Sequence, residues 1–302
     1  MRRAIDLPLH YGKAPRWLFD RMKVLAKEIA EFIVLKYGEE EFLKRISDPF
    51  WFQSFGCVLG FDWHSSGLTT VVSGALKEGL KNSDVGVFVC GGKGRVSRRT
   101  PDEIRRIFEE KKISLNPDKF TFYSKITAKI DNSLIQDGFN LYHHIFIFTK
   151  KGTWSVIQQG MKEEGGFARR YHWFSENIKD FVVEPHKGIA SDKVFKKIIL
   201  NLTAKESKEI QDVVVDVFKT KPITFIEELK KIKYKKLPER HSILIGKDIE
   251  RVNLDKIVLS AYKEKIFNFL DVVKIEGLGP KSVRALTLIA VSYTHLTLPT
   301  KA

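Results

Sequence analysis

Leu141 to Thr149 and Thr153 to Gln159 both read as strands, rich in β-branched and aromatic residues, with only Lys150-Lys151-Gly152 between them. So short a connection predicts an antiparallel hairpin, since a parallel return needs a much longer crossover. Gly152 fits the left-handed position of a bulged three-residue turn. Pairing Thr149 with Thr153 fixes the register: Phe148 opposite Trp154, Phe146 opposite Val156, His144 opposite Gln158 and His143 opposite Gln159. Adjacent strand residues alternate in direction, so the two His–Gln pairs lie on opposite faces of one sheet.

Helical patterns surround the hairpin. Pro15 opens one through Lys36, with Leu18, Met22, Leu25, Ile29 and Phe32 on its expected buried face, and Gly38 ends it. Phe50 to Phe61 reads as a buried apolar segment, and Ser65 or Ser66 caps a helix to about Leu80. Val85 to Cys90 reads as a short buried strand bounded by Gly91 and Gly92. Thr100-Pro101-Asp102-Glu103 predicts a capping box and a helix to about Lys112. Another helix is expected across Phe120 to Leu134, although Phe120 to Ile126 also alternates like a strand, and a further one from Ala204 to Phe218 capped by Thr203. The fold class is therefore α/β or α+β: a small central sheet with a β-hairpin, surrounded by helices, and a C-terminal all-helical segment.

That segment carries the motif Ile275-Glu276-Gly277-Leu278-Gly279-Pro280-Lys281-Ser282. Two glycines permit a tight turn and a close approach, Pro280 suits a first helical position, and Val283, Leu286 and Ile289 recur at helical spacing. A turn that presents backbone N–H groups beside a helix N-terminus and a lysine favours a phosphate. With the helix-like stretch Asn253 to Leu270 before it, the pattern resembles the DNA-binding helix-hairpin-helix motif, in which Gly277, Gly279 and Lys281 would grip backbone without reading sequence. Val291 to Thr300 matches one reading frame of a common transposon sequencing adaptor and is expected to be non-native; His295 is no site candidate. The expected organisation is a mixed α/β body over 1–220, a basic connecting segment over 221–250, a truncated helix-hairpin-helix segment over 251–290 and the adaptor-derived end over 291–302.

A formal charge of +15 over 302 residues suits a polyanionic partner, most economically nucleic acid. Nine Lys or Arg against three acids in Val217 to Lys247 add to that expectation. Cys57 and Cys90 are far apart and lack zinc-ligand spacing, which predicts free thiols in a reducing cytosol; no signal peptide or spanning run predicts a membrane partner, so a cytoplasmic location is expected.

Three clusters carry candidate chemistry. His143, His144, Gln158 and Gln159 meet at one level of the hairpin, with Gln136, Asp137 and Tyr142 nearby in sequence. Arg169, Arg170 and His172 lie among aromatics in Phe167 to Phe174, a combination suited either to phosphate contacts and base stacking or to a loop packed on the core. Lys93, Arg95, Arg98 and Arg99 follow Gly91-Gly92 and precede a helix start, which suits anion binding; P-loop spacing is absent. Asp62-Trp63-His64, Lys129-x-Asp131 and Glu184-Pro185-His186 offer further acids and histidines.

Leu7 to Leu18, Asp62 to Thr70, Leu134 to Gly138, Tyr142-His143-His144, Gln158 to Met161 and Arg169 to Trp173 resemble the signature blocks of the family called domain of unknown function 763. The resemblance covers about residues 5 to 290 and implies a helix-hairpin-helix segment near the C-terminus, with native chain continuing beyond it. It brings no activity.

The expected function is a DNA-binding protein of repair or recombination type. For an enzyme, phosphodiester cleavage is the expected reaction: His143 or His144 as base or metal ligand, Asp131 or Asp137 as carboxylates for Mg or Mn, and Arg169, Arg170 and Lys93 stabilising charge. The rivals are a non-catalytic DNA-binding module and a base-excision glycosylase.

Overall fold

The computed structural model describes residues 7–9, 14–162, 166–191, 199–219 and 266–297. In chain order these form helices α1 (Arg16–Tyr37), α2 (Glu39–Ile46), α3 (Pro49–Val58) and α4 (Gly67–Leu80), strand β1 (Val87–Lys93), and helices α5 (Thr100–Glu110) and α6 (Pro117–Ser133). Strands β2 (Ile135–Gln136), β3 (Asn140–Thr149), β4 (Trp154–Lys162), β5 (Phe167–Phe174), β6 (Gly188–Ser191) and β7 (Leu200–Asn201) follow, then helices α7 (Lys208–Lys219), α8 (Phe269–Lys274) and α9 (Pro280–Thr297). Two compact units interleave along the chain: Met1–Ala128, Gly138–Lys179 and Pro185–Ile198 make the first, and Lys129–Asp137, Asp180–Glu184 and Ile199–Ala302 the second. The basic connecting segment over 221–250 and the stretch 253–265 lie outside the described residues.

The first unit is built on a five-stranded antiparallel sheet of order β1-β3-β4-β5-β6. The β3–β4 register is the one the turn dictates, and Gly152 takes φ +107°. One sheet face, with Val89, Ile145, Ile147 and Ile157, packs in a single core with α1 to α4. On the other, Phe146, Phe148 and Trp154 meet Phe108 of α5 and Phe120 and Tyr123 of α6 in ring contacts 4.9–6.3 Å between centroids. A mixed α/β body with helices on both sides of an antiparallel sheet is the fold class expected.

Several local expectations are corrected. The buried face of α1 is Met22, Ala26, Ala30 and Ile33, while Leu25 is 39% and Phe32 61% exposed. Small residues win because α1 and α4 approach closely: a Cβ on Gly79 would lie 2.5 Å from the Lys23 carbonyl. Strand β1 does not stop at the glycines but runs through Gly91 and Gly92 to Lys93. Thr100 and Glu103 form no capping box. Thr100 donates to the Ser97 carbonyl, and the Glu103 carboxylate accepts from the Gly91 N–H at 2.7 Å and from Lys77 at 2.7 and 2.9 Å. The segment around Arg169 and Arg170 is no loop: it is strand β5, buried from Ala168 onward. Helix α7 begins at Lys208 after a 3-10 turn, because the Thr203 side chain donates to Asn201 and does not cap it.

Gly91 has φ +95°, and a Cβ there would lie 2.3 Å from the His144 carbonyl oxygen and 2.7 Å from Thr100 Oγ1. Gly91→Ala is expected to cost about 2–4 kcal/mol, from left-handed strain plus displacement of β3. An unchanged thermal midpoint would contradict that close approach.

The second unit gathers the end of α6, β2 paired with β7, and helices α7 to α9. Its core includes Leu134, Leu202, Val214, Phe269, Val272, Leu278, Val283 and Leu286. Asn268 takes an extended conformation and forms a capping box with Asp271, so α8 starts at Phe269; of the helix expected over Asn253 to Leu270, residues 266–268 are not helical and 253–265 lie outside the described residues.

Candidate active site

The hairpin register sets His143 and His144 on opposite faces, and each face builds a different polar cluster. Beneath the helices, His143 Nε2 lies 3.1 Å from Ser73 Oγ of α4. Gln159, opposite it, donates to the Ser66 carbonyl at 2.9 Å and to the Tyr142 hydroxyl, and accepts from Thr69. Arg170, the next residue across the sheet, donates to Thr69 Oγ1 at 3.1 Å, Gln53 Oε1 at 2.8 Å, the Pro49 carbonyl at 3.2 Å and His172 Nε2 at 2.7 Å. These partners are all neutral. His143, Gln159, Arg170 and His172 are at most 1% exposed. Burial, then the neighbouring cationic groups, pushes His143 down to about 3, and burial holds His172 well below the imidazole range. This cluster welds α3 and α4 to the sheet.

The opposite face is different. The aromatic packing of Phe120 and Tyr123 fixes α6 over β3 and β4 and directs Ser124, the next residue, at the sheet. Ser124 Oγ lies 2.9 Å from His144 Nε2, and His144 Nδ1 lies 2.8 Å from Gln158 Oε1. An amide oxygen only accepts, so Nδ1 carries the proton and the Nε2 lone pair faces the serine hydroxyl. The three groups border a pocket of about 350 Å3 whose other walls include Ser97, Arg98, Pro101, Lys125, Leu141 and Tyr142. Arg98 and Lys125 are exposed at its rim, and among the described residues no carboxylate lines it. Burial raises the Tyr142 phenol above its ordinary value, while its hydrogen bond with Gln159 opposes the rise.

The expected cluster is therefore divided. His144 and Gln158 stand at the pocket, Gln159, Arg170 and His172 lie in the buried network, and His143, whose ring joins that network at Ser73, also lines the pocket. Arg169 lies over the Phe139 ring at 4.6 Å and is 7% exposed. Tyr171 and Trp173 are fully buried against His186, so the second cluster offers no stacking surface to a base. Asp131 and Asp137 belong to the second unit and are buried there. Among the described residues no group of three or more His, Cys, Asp or Glu side chains is arranged to hold a metal ion. Asp62 accepts from the His64 N–H, and Glu184 from the Lys205 N–H, as turn and cap groups. Lys93 lies 5.8 Å from the Tyr142 ring, and Arg95 and Arg99 are exposed. Ser124 was not legible as a site residue: a serine inside an amphipathic helix gains meaning only from what the helix covers.

In the second unit, Gly277 takes φ +79° in the turn between α8 and α9, and a Cβ on Gly277 or Gly279 would meet nothing among the described residues within 4 Å. Lys129 donates to the Ile275 carbonyl at 2.6 Å; burial pushes its ammonium pKa down and Glu276 opposes this. Gln136 donates to the Pro280 carbonyl at 2.7 Å and accepts from Arg284. Both ends of the turn are thus held from one side, and Lys281 is exposed.

The model of a family described as "Protein of unknown function (DUF763)" matches residues 3–295. No curated protein and no solved structure matches the chain.

Proposed function

The chain belongs to the DUF763 family, and we propose that it is a DNA-binding protein of repair or recombination type that grips the phosphate backbone through the turn between α8 and α9. The observation that carries this reading is the open turn. A Cβ on Gly277 or Gly279 would meet no described residue within 4 Å, α9 starts immediately after them at Pro280, and Lys281 stands exposed on its first turn. Backbone N–H groups at such a place suit a phosphate oxygen, and glycine lets a phosphate come within hydrogen-bonding distance. Lys129 and Gln136 support the reading from behind, because a turn anchored at Ile275 and Pro280 needs little ordering when it binds. The +15 charge adds long-range attraction.

Duplex DNA binding followed by fluorescence anisotropy tests it. Affinity is expected to fall about 10-fold or more between 50 and 200 mM salt and to vary little with sequence. Gly279→Val is expected to weaken binding about 10-fold while leaving the melting curve unchanged, since its Cβ would meet no described residue within 4 Å. Lys281→Glu should weaken binding and make the salt slope shallower. Normal binding by both variants, or binding indifferent to salt, would discard the turn as the backbone contact.

A further inference from the structure

We infer that Ser124, His144 and Gln158 form a nucleophilic site that hydrolyses phosphodiesters through a phosphoseryl intermediate. Three observations converge on it. The distances of 2.9 and 2.8 Å place base and nucleophile, and base and orienting acceptor, within hydrogen-bond reach. The Nδ1–H to Gln158 bond selects the tautomer whose Nε2 lone pair faces Ser124, as a neutral amide does in other nucleophile–histidine–amide sites. Finally, all three side chains border a pocket of about 350 Å3, so the hydroxyl has a reactant volume next to it.

The pocket also selects the substrate. Its rim carries Arg98 and Lys125 and no described lining residue is acidic, which favours an anion. The choice of a phosphodiester among anionic esters rests on the backbone-binding reading above. In the first step Ser124 Oγ attacks phosphorus as its proton passes to His144 Nε2. The bond from phosphorus to the leaving oxygen breaks, and the imidazolium returns that proton to the departing alcohol. Water then attacks the phosphoseryl group and gives a proton to His144 Nε2, the P–Oγ bond breaks, and Ser124 recovers its hydrogen from the imidazolium. One water is consumed and a phosphomonoester and an alcohol are produced. Ser124 and His144 are the catalytic residues; Gln158 is a positioning residue that acts through His144. Arg98 and Lys125 offset charge on the non-bridging oxygens.

The test uses the full chain and two probes that need no DNA binding. A fluorophosphonate is expected to add once, at Ser124, as read by intact mass and peptide mapping. Bis(p-nitrophenyl) phosphate is expected to turn over with EDTA present. Ser124→Ala and His144→Ala should each abolish labelling at that position and lower turnover about 100-fold or more, with melting curves for Ser124→Ala like those of the parent. Gln158→Glu should move the acid limb of the pH–rate profile upward, because a carboxylate on Nδ1–H favours the imidazolium; a purely structural Gln158 would not move that limb. No adduct and no turnover, an adduct elsewhere, or turnover that survives Ser124→Ala would overturn the proposal. Turnover of p-nitrophenyl acetate without the diester would overturn the substrate class. Labelling at Ser124 beside salt-indifferent DNA binding would remove the backbone reading alone, and steep salt dependence without labelling would remove the serine chemistry alone.

Discussion

Truncating Arg170 to alanine is expected to lower the unfolding free energy by about 3–5 kcal/mol. Its guanidinium is fully buried and shared among the Thr69 hydroxyl, the Gln53 amide, the Pro49 carbonyl and His172. Alanine would leave acceptors on α3, α4 and β5 without donors, and would open a cavity beside Phe52, whose ring the guanidinium overlies at 4.6 Å. Burial pushes Arg170 down to about 9, so it still carries its charge at neutral pH without a carboxylate among its hydrogen-bond partners. Arg170→Met keeps most of the volume and removes the cost of desolvating that charge, so it should be less damaging than alanine. Urea unfolding followed by tryptophan fluorescence measures both variants. A change below about 1 kcal/mol for alanine would mean that the network does not tie the helices to the sheet.

Acidification is the second large effect. His143 and His172 are held neutral in the folded chain, with His143 near 3 and His172 well below its ordinary value, mainly through burial. Once unfolded, both return to about 6.5. Between that value and the folded ones the unfolded chain takes up protons that the folded chain refuses. The associated stability is complete above about pH 6.5 and is lost as pH falls. Two units of acidification, to about pH 4.5, should therefore cost about 2–3 kcal/mol through His143, with a further loss in the same direction from His172. Urea midpoints at pH 7, 5.5 and 4.5 should decline, and His143→Gln should make the decline shallower. A flat profile would mean that neither ring is sequestered from protons.

The pH effect and the Arg170 effect come from features that the sequence exposes to different degrees. The β3–β4 pairing was readable because a three-residue connection containing Gly152 leaves few registers open, and it correctly put His143 and His144 on opposite faces. What occupied each face was not readable. Phe167 to Phe174 mixes arginine, histidine and aromatics with no apolar–polar alternation, since both faces of β5 are buried and one buries a cation in a network of neutral partners. The orientation of α1 was missed for the opposite reason. Leucine and phenylalanine mark the stripe that sequence patterning assigns to the core, but contact with α4 at Gly79 admits only the alanine side. Glu103 was assigned to a cap and instead binds Lys77 and the Gly91 amide, partners 26 and 12 residues away. The candidate site was half legible: hairpin register supplied His144 and Gln158, while Ser124 needed the packing of α6 on Phe146, Phe148 and Trp154.

The interleaving of the second unit constrains how the chain can emerge from a ribosome. Lys129 bonds to the Ile275 carbonyl across 146 residues, and Gln136 to Arg284 across 148. At translation rates of about 5–20 residues per second, Lys129 to Asp137 must wait roughly 7–30 s for the partners that complete their unit. By then the strands of the first unit have left the exit tunnel and can pair. The order of assembly is therefore set by synthesis as well as by energy: Leu134 and Ile135, buried in the finished protein, are left unprotected in the nascent chain. A short-lived apolar segment open to chaperones is the expected consequence of holding the α8–α9 turn from elements so much earlier in sequence.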